Sequence, residues 1–501
     1  MYRCLFFFLL ILVPAGAISQ ETTRIWLEKA RTWEYNKDIR ADVQRIIGDV
    51  VLRHDSAFLF CDSAYLNEEA NTVFAYGNVH IRNSDTLNLY GDSLTYNGNT
   101  KEARIWSNVK QIDNQTILTT DTLIYNRNTQ IAWYNYWGKI VNDKNILVSK
   151  HGYYYTEFKE FFFRHHVTLM NPDYDMFSDT LKYNTFSEVA WFFGPSYIIS
   201  KDKEDSIWCT NGWYDTRHDI CRFRERAEIF HADQYLTGDS MFYERKNGFG
   251  QVYRNAIIKD TTQDILLTGN FGELQRRKGF AFMTNRAVAI MAEQPDSLFM
   301  HADTVIATYD SAMHIRNIFS YFKVKFYRKD LQGMCDSLVY HGRDSSMTMY
   351  HDPVLWTDEN QLTADSITLA LRNGRIDTMA LYNSAFIVSK DDSGKFNQIK
   401  GRDMAGYFRN NKLYKMNVFG NSETVYYVRD DDRSLIGILK ALSSDMLFFV
   451  EENKLKSITY LEQPSGTVYP EKDFSAYDAQ LKGFKWIEER RPRKKEDIFT
   501  W

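Results

Sequence analysis

Gly91-Asp92-Ser93-Leu94-Thr95-Tyr96 runs into Asn97-Gly98-Asn99-Thr100 and then, after Ala103, into Ile105-Trp106-Ser107-Asn108-Val109. Apolar and polar residues alternate with a period of two, the spacing of a strand whose successive side chains point to opposite faces. Asn and Gly tolerate positive φ, so residues 97–100 read as a turn that closes a hairpin. The same cell recurs as Cys61-Asp62-Ser63, Thr120-Asp121-Thr122-Leu123-Ile124-Tyr125, Ser178-Asp179-Thr180-Leu181-Lys182-Tyr183 and Gly238-Asp239-Ser240-Met241-Phe242-Tyr243. It continues through Ala302-Asp303-Thr304, Cys335-Asp336-Ser337-Leu338-Val339-Tyr340, Ala364-Asp365-Ser366-Ile367, Arg402-Asp403 and Ser444-Asp445. The first steps are 30 and 29 residues, and the next gaps of 58, 60 and 64 each hold a degenerate copy, at His151, Asn211 and near Gly272. Thirteen cells therefore tile residues 62–450.

One hairpin exposes an apolar face that it cannot bury alone, so neighbouring cells must stack and share a core. The fold expected is all-β, an elongated repeat β-solenoid or open β-jelly-roll. If each cell adds one strand to each of two sheets, thirteen cells stack to about 60 Å. The reading divides the chain into residues 1–17, a lead-in over 18–45 with room for a helix, the array over 46–464, and a charged, solvated tail over 465–501.

Residues 1–17 read as a secretory signal, with Arg3, the apolar run Leu5 to Val13, and the small-residue cleavage site Ala15-Gly16-Ala17. That run is too short to cross roughly 30 Å of hydrocarbon as a helix. The expectation is export from the cytoplasm. Lys+Arg 61 against Asp+Glu 65 leaves a formal charge of −4, which offers no basic footprint for nucleic acid. An aromatic content of 15% with balanced charge argues against disorder.

The repeated Asp residues occupy a turn slot, where a carboxylate bonds a nearby backbone N–H. A glycosidase instead needs two carboxyls facing one bond. No nucleophile elbow, phosphate loop or dinucleotide turn is present in the sequence, and the histidines lack metal-ligand spacing. The reading is of a non-enzyme without cofactor or metal. Cys61 and Cys335 share the small-residue slot and read as buried thiols. Cys209 and Cys221 flank one hairpin turn, and an oxidising compartment permits a disulfide between them, although their register is near rather than opposite.

The Asp corner sets the register, so Leu94 and Tyr96, Leu123 and Tyr125, Leu181 and Tyr183, Met241 and Tyr243, and Leu338 and Tyr340 fall on one face. That stripe is either a dry core between closed sheets or the lining of a groove for acyl chains. The first makes the chain a structural or adhesive solenoid and the second a lipid carrier. A polysaccharide-acting β-helix is the third alternative, and it lacks an identifiable carboxylate cluster.

Ile47-Gly48-Asp49-Val50-Val51 through Cys61-Asp62-Ser63-Ala64, and Ala75-Tyr76-Gly77-Asn78-Val79-His80-Ile81 through Gly91 to Tyr96, resemble the repeat of the OstA-like (organic solvent tolerance) family. That family includes LptA and the N-terminal domain of LptD. The stretches Asp330 to Tyr340 and Pro353-Val354-Leu355-Trp356 are similar to its longer, Bacteroidetes-type members. The resemblance implies a periplasmic β-jelly-roll that binds lipopolysaccharide through its lipid A part. It also implies edge-strand stacking with other lipopolysaccharide-transport proteins, including an outer-membrane LptD-like barrel, in a bridge that serves outer-membrane assembly. Unpaired edge strands suit such augmentation. About fifty residues follow the last of the thirteen cells, too few for a barrel, and the final Phe499-Thr500-Trp501 is not preceded by the alternation of a barrel strand.

Overall fold

The structure is a computed structural model that describes residues 23–35, 42–83, 86–292, 296–372, 374–391, 394–430, 432–451, 454–475 and 478–501. The signal read over 1–17 lies outside them. Two compact units are present: residues 1–172 with 177–186, and residues 173–176 with 187–501. Both are antiparallel β throughout, as the alternation predicts, and the helices among the described residues are short 3-10 turns.

In the first unit the cell becomes a bent strand. Ala57–Asn67, Thr72–Arg82, Leu87–Asn97, Glu102–Asp113 and Thr116–Asn126 pair in sequence order, and every ladder skips register at mid-strand. There two residues oppose one, as Gly77-Asn78 oppose Asp92, which is a bulge that bends the strand. Gly77 (φ 75°) and Asn78 (45°), and Ser107 (62°) and Asn108 (55°), supply the left-handed corner. A Cβ on Gly77 would lie 2.4 Å from Asp62 Oδ2, so a larger residue there, as Ser107 is in the next corner, needs that carboxylate to shift.

The corner Asp does not cap its own turn as the sequence reading holds. Asp62 accepts from Asn78 Nδ2 at 2.8 Å and Asp92 from Asn108 Nδ2 at 2.6 Å, so each ties one layer to the next. The hairpin turns do behave as read. Asn97 Oδ1 accepts the N–H groups of Asn99 (2.9 Å) and Thr100 (3.1 Å), and Asn126 serves Asn128 and Thr129 in the same way.

Each bend leaves two arms. A first arm holds residues 63–67, 72–76, 93–97, 102–106 and 122–126, and a second holds 57–61, 79–82, 87–91, 109–113 and 116–120. Both bury alternate residues, so Ala64, Val73, Leu94, Ile105 and Leu123 of one arm oppose Leu59, Ile81, Leu89 and Val109 of the other. The lead-in holds no helix among its described residues. Trp26–Lys29 and Thr32–Tyr35 pair with the two halves of Gln44–His54 and form one more bent layer, with Arg31 bound to Asp49 at 2.8 Å.

The second unit repeats this section. Phe249–Asp260, Ile265–Gln275, Phe280–Met291, Leu298–Tyr309 and Ile315–Arg328 bend at the same kind of bulge, and Asp239 takes Asn255 Nδ2 at 3.0 Å. The tail is not the solvated end piece read from its charge. Ser465–Tyr469 pairs with residues 438–442, and Leu481 and Ile498 are buried.

Candidate functional site between the arms

All ten stripe residues are buried between the arms: Leu94, Tyr96, Leu123, Tyr125, Leu181 and Tyr183 in the first unit, and Met241, Tyr243, Leu338 and Tyr340 in the second. The tyrosines of the first unit have a role that alternation did not disclose. Their phenols reach across the seam where the tips of the two arms meet. Tyr96 OH lies 2.6 Å from His54 Nδ1, and Asn83 Nδ2 donates to Tyr125 OH at 3.0 Å. Tyr154 OH donates to Asp113 Oδ2 at 2.7 Å, and Tyr183 OH to Asn142 Oδ1 at 3.0 Å. The partners stand 42, 42, 41 and 41 residues earlier, so one latch recurs layer by layer. That fixed offset between a repeat Tyr and a polar tip residue is the sequence signal that could have revealed the seam.

Charge reinforces the latches. Arg127 donates to Tyr96 OH (3.1 Å) and Asn83 Oδ1 (2.8 Å), and Lys159 Nζ lies 2.6 and 2.8 Å from the buried Asp113 carboxylate. His54 Nε2 lies 2.9 Å from the Thr23 carbonyl, so Nε2 carries the proton and Nδ1 accepts from Tyr96. Burial lowers the His54 pKa and pushes Tyr125 up to about 12. Burial also works to raise Asp55, but hydrogen bonds from Lys101 and Thr23 hold it at about 2. A cavity of about 20 Å³, room for one water, is what remains beside His54, Tyr96 and Tyr125.

In the second unit Arg245 Nε donates to Asp205 (3.0 Å), Gln263 pairs with the backbone of Ile315 (2.7 and 3.2 Å), Arg328 donates to Gly374 O (2.9 Å) and Asn411 to Asp330 (2.6 Å). Each joins tips of opposite arms. Past these ties the arms part around a cavity of about 650 Å³. Leu362, Ile387 and Ile399 of the second arm face Met379, Phe408 and Phe448 of the first, with Lys390, Asp391, Arg429, Asp430 and Arg433 at the rim. Asp391 and Arg429, 2.9 Å apart, join two turns of the same arm.

None of the ten stripe residues lines this cavity. Leu369, Gly406 and Phe448 fill the inward positions at which the first unit carries the latching tyrosine, but so do Leu274 and Ala307 in cells away from the cavity, so the sequence of one cell does not signal the opening. The cysteines bear on no chemistry. Cys61, Cys209, Cys221 and Cys335 are free buried thiols, and burial pushes Cys61 and Cys209 to about 12. The disulfide that the sequence permits between Cys209 and Cys221 is not formed, because the corner falls between them. Cys209 pairs with Ser196 on one arm, while Cys221 pairs with Tyr214 on the other and lies 3.6 Å from Tyr243 O.

The geometry defines a class: bent antiparallel layers closed at the seam by hydrogen bonds, with a space of mixed apolar and charged lining at the last layers of the second unit. Residues 22–179 match the family model described as OstA-like protein. No curated protein matches the chain. Among solved structures, similarity is found to LptH of Pseudomonas aeruginosa, described as the LptA homologous periplasmic component of the conserved lipopolysaccharide transport device. It is 12% identical, with a TM-score of 0.21, over 23% of this chain and 82% of that one.

Proposed function

We propose that this protein is a periplasmic carrier of a lipopolysaccharide-type amphiphile and performs no chemical step on it. The observation that carries the reading is the 650 Å³ cavity between the last layers, which sets a group of aliphatic and aromatic side chains beside an equally large group of polar and charged ones. Its volume is that of a ligand pocket. Acyl chains would lie against Leu362, Ile387, Ile399 and Phe408, while phosphates and sugars stay in water beside Lys390, Arg429 and Arg433. The OstA-like match supports the transport class, and the signal read in the sequence supports export. Partners would add to the edge strands of the terminal layers, which offer backbone N–H and C=O rows to another chain. The latched stripe of the first unit would take lipid only if its seam opened.

Photo-crosslinking residues at Ile399 and Phe408, with Leu123 as the buried control, test this in the full chain incubated with purified lipopolysaccharide. Adducts at 399 and 408 and none at 123 are expected. Absence of adducts at 399 and 408 in a folded protein overturns the reading and leaves a structural solenoid.

A further inference from the structure

The wall of the open cavity is held from behind by the chain's own C-terminal segment. Along the second arm, alternate residues face opposite ways. Leu362, Ile387, Ile399 and Tyr426 line the cavity. Their neighbours Gln361, Val388, Gln398 and Val425 point to the other side of the same strands, and all four are buried there. Residues 478–501 cover them.

The contacts are of a kind that fixes an extended peptide. Gln398 Nε2 donates to Ala479 O at 2.7 Å while its Oε1 accepts from Leu481 N at 2.9 Å. Gln361 repeats the pairing with Lys485 O (2.7 Å) and Ile487 N (2.9 Å). Arg491 then donates to Gln332 Oε1 at 2.9 and 2.6 Å, and Lys325 Nζ to Thr500 O at 2.6 Å. Between these points Leu481 joins Phe386, Val388, Val425, Tyr427 and Ile438, with Phe474, Phe484 and Trp486 packed on them. Ile487 sits on Met334, Val354 and Trp356. Phe499 lies 4.8 Å from the His301 ring and beneath Arg286.

In front of these strands stands the cavity, so their lateral support comes from the ladder and from the segment behind. The ties at Arg328–Gly374 and Asp330–Asn411 join the arms just before the cavity begins. We propose that residues 478–501 are a strap that sets the width of the cavity mouth, and that lifting it from Gln361 and Gln398 lets the second arm move outward and widens the space. The acyl-chain identity of the occupant rests on the function proposed above, whereas the mouth width does not. The pairing reads backbone and not side chains at Gln361 and Gln398, so the strap can lift without any covalent change.

Spin labels on Glu359→Cys and Glu451→Cys, at tips of opposite arms, measure the mouth directly by pulsed electron resonance in the full chain. Both parent residues are exposed, and the native cysteines of the described residues are buried. The full chain should give one narrow distance. Ending the chain before Asp478 should lengthen and broaden it by about one strand spacing, ~5 Å, and a synthetic peptide of residues 478–501 added in trans should restore it. Gln361→Leu with Gln398→Leu, which leaves the strap in the chain, is the second variant and should move the distance the same way. An unchanged distance in either folded variant overturns the proposal. Lipopolysaccharide crosslinking at Ile399 in the same samples separates the two readings: a moved distance without crosslinking anywhere upholds the strap and rejects the carrier.

Discussion

Replacing Tyr154 by Phe removes one hydroxyl from the seam of the first unit and leaves the ring in place. The lost bond is the 2.7 Å contact to Asp113, a carboxylate whose side chain is 1% exposed and which also accepts from Lys159 at 2.6 Å and Asn114 Nδ2 at 3.4 Å. A hydrogen bond to a charged group contributes about 1.5–3 kcal/mol, and phenylalanine opens no large cavity, so Tyr154→Phe should cost about 2 kcal/mol. Asp113→Asn keeps the shape and drops the charge. Lys159, 32% exposed, can still reach water, so the loss is confined to the charge-assisted contacts, again about 2 kcal/mol. Both substitutions remove the same contact, so the double variant should cost about 1–2 kcal/mol less than the sum. Tyr125→Phe, which loses a neutral amide-to-phenol bond, should cost about 1 kcal/mol. Stacked layers open locally, so amide exchange over 114–116 and 151–155 is the assay, read as opening free energies. Additivity of the pair within about 0.5 kcal/mol, or a Tyr154 variant no weaker than the Tyr125 one, would refute the latch.

Leu123→Asp should unfold the first unit and not merely blunt lipid capture, because its side chain is fully buried in the closed stripe and an unpaired carboxylate there has no solvation. Circular dichroism and protease resistance check this, and a variant as stable as the parent would contradict a closed interior. The seam at His54 should loosen in acid. Burial holds its pKa below 6.5, and Nδ1 accepts from Tyr96 with Arg127 and Lys101 nearby, so the folded state keeps the ring neutral. A base whose folded pKa is depressed contributes stability that is complete above 6.5 and is lost as pH falls through the folded value. Asp55, ionised down to about 2, does not titrate in that window. Protection of amides at 54–57 and 96–98, corrected for intrinsic rates, should be lower at about pH 5 than at about pH 7. Equal protection would remove His54 from the latch.

Gly91-Asp92-Ser93-Leu94-Thr95-Tyr96 and its copies carried the layer, the corner and the face of the stripe into view, because each is set within one cell. Period-two alternation fixes which side chains turn inward, and Asn97 and Asn126 fix their turns through bonds to N–H groups two and three residues on. The corner was legible as a corner, but the partner of Asp92 was not, since Asn108 belongs to the next strand. The tail misled for a related reason. Its charges suggest solvent, yet Leu481, Trp486 and Ile487 are placed by Gln398 and Gln361, more than eighty residues earlier, and no local pattern links them.

What the sequence alone determined is thus everything governed by short range: an all-β repeat, its register, its turns and its buried stripe. What only the tertiary structure decided is where that stripe is closed and where it opens. A phenol's burial can be read from alternation, but its hydrogen-bond partner 41 or 42 residues back, on the opposing arm, exists only once the layers stack. Where Leu369, Gly406 and Phe448 stand in its place that bond is absent, and it is the stacking of the last layers that leaves the cavity between the arms. Closure depends on pairs that meet through space, and the free energy of such a pair is not a property of either residue's local sequence.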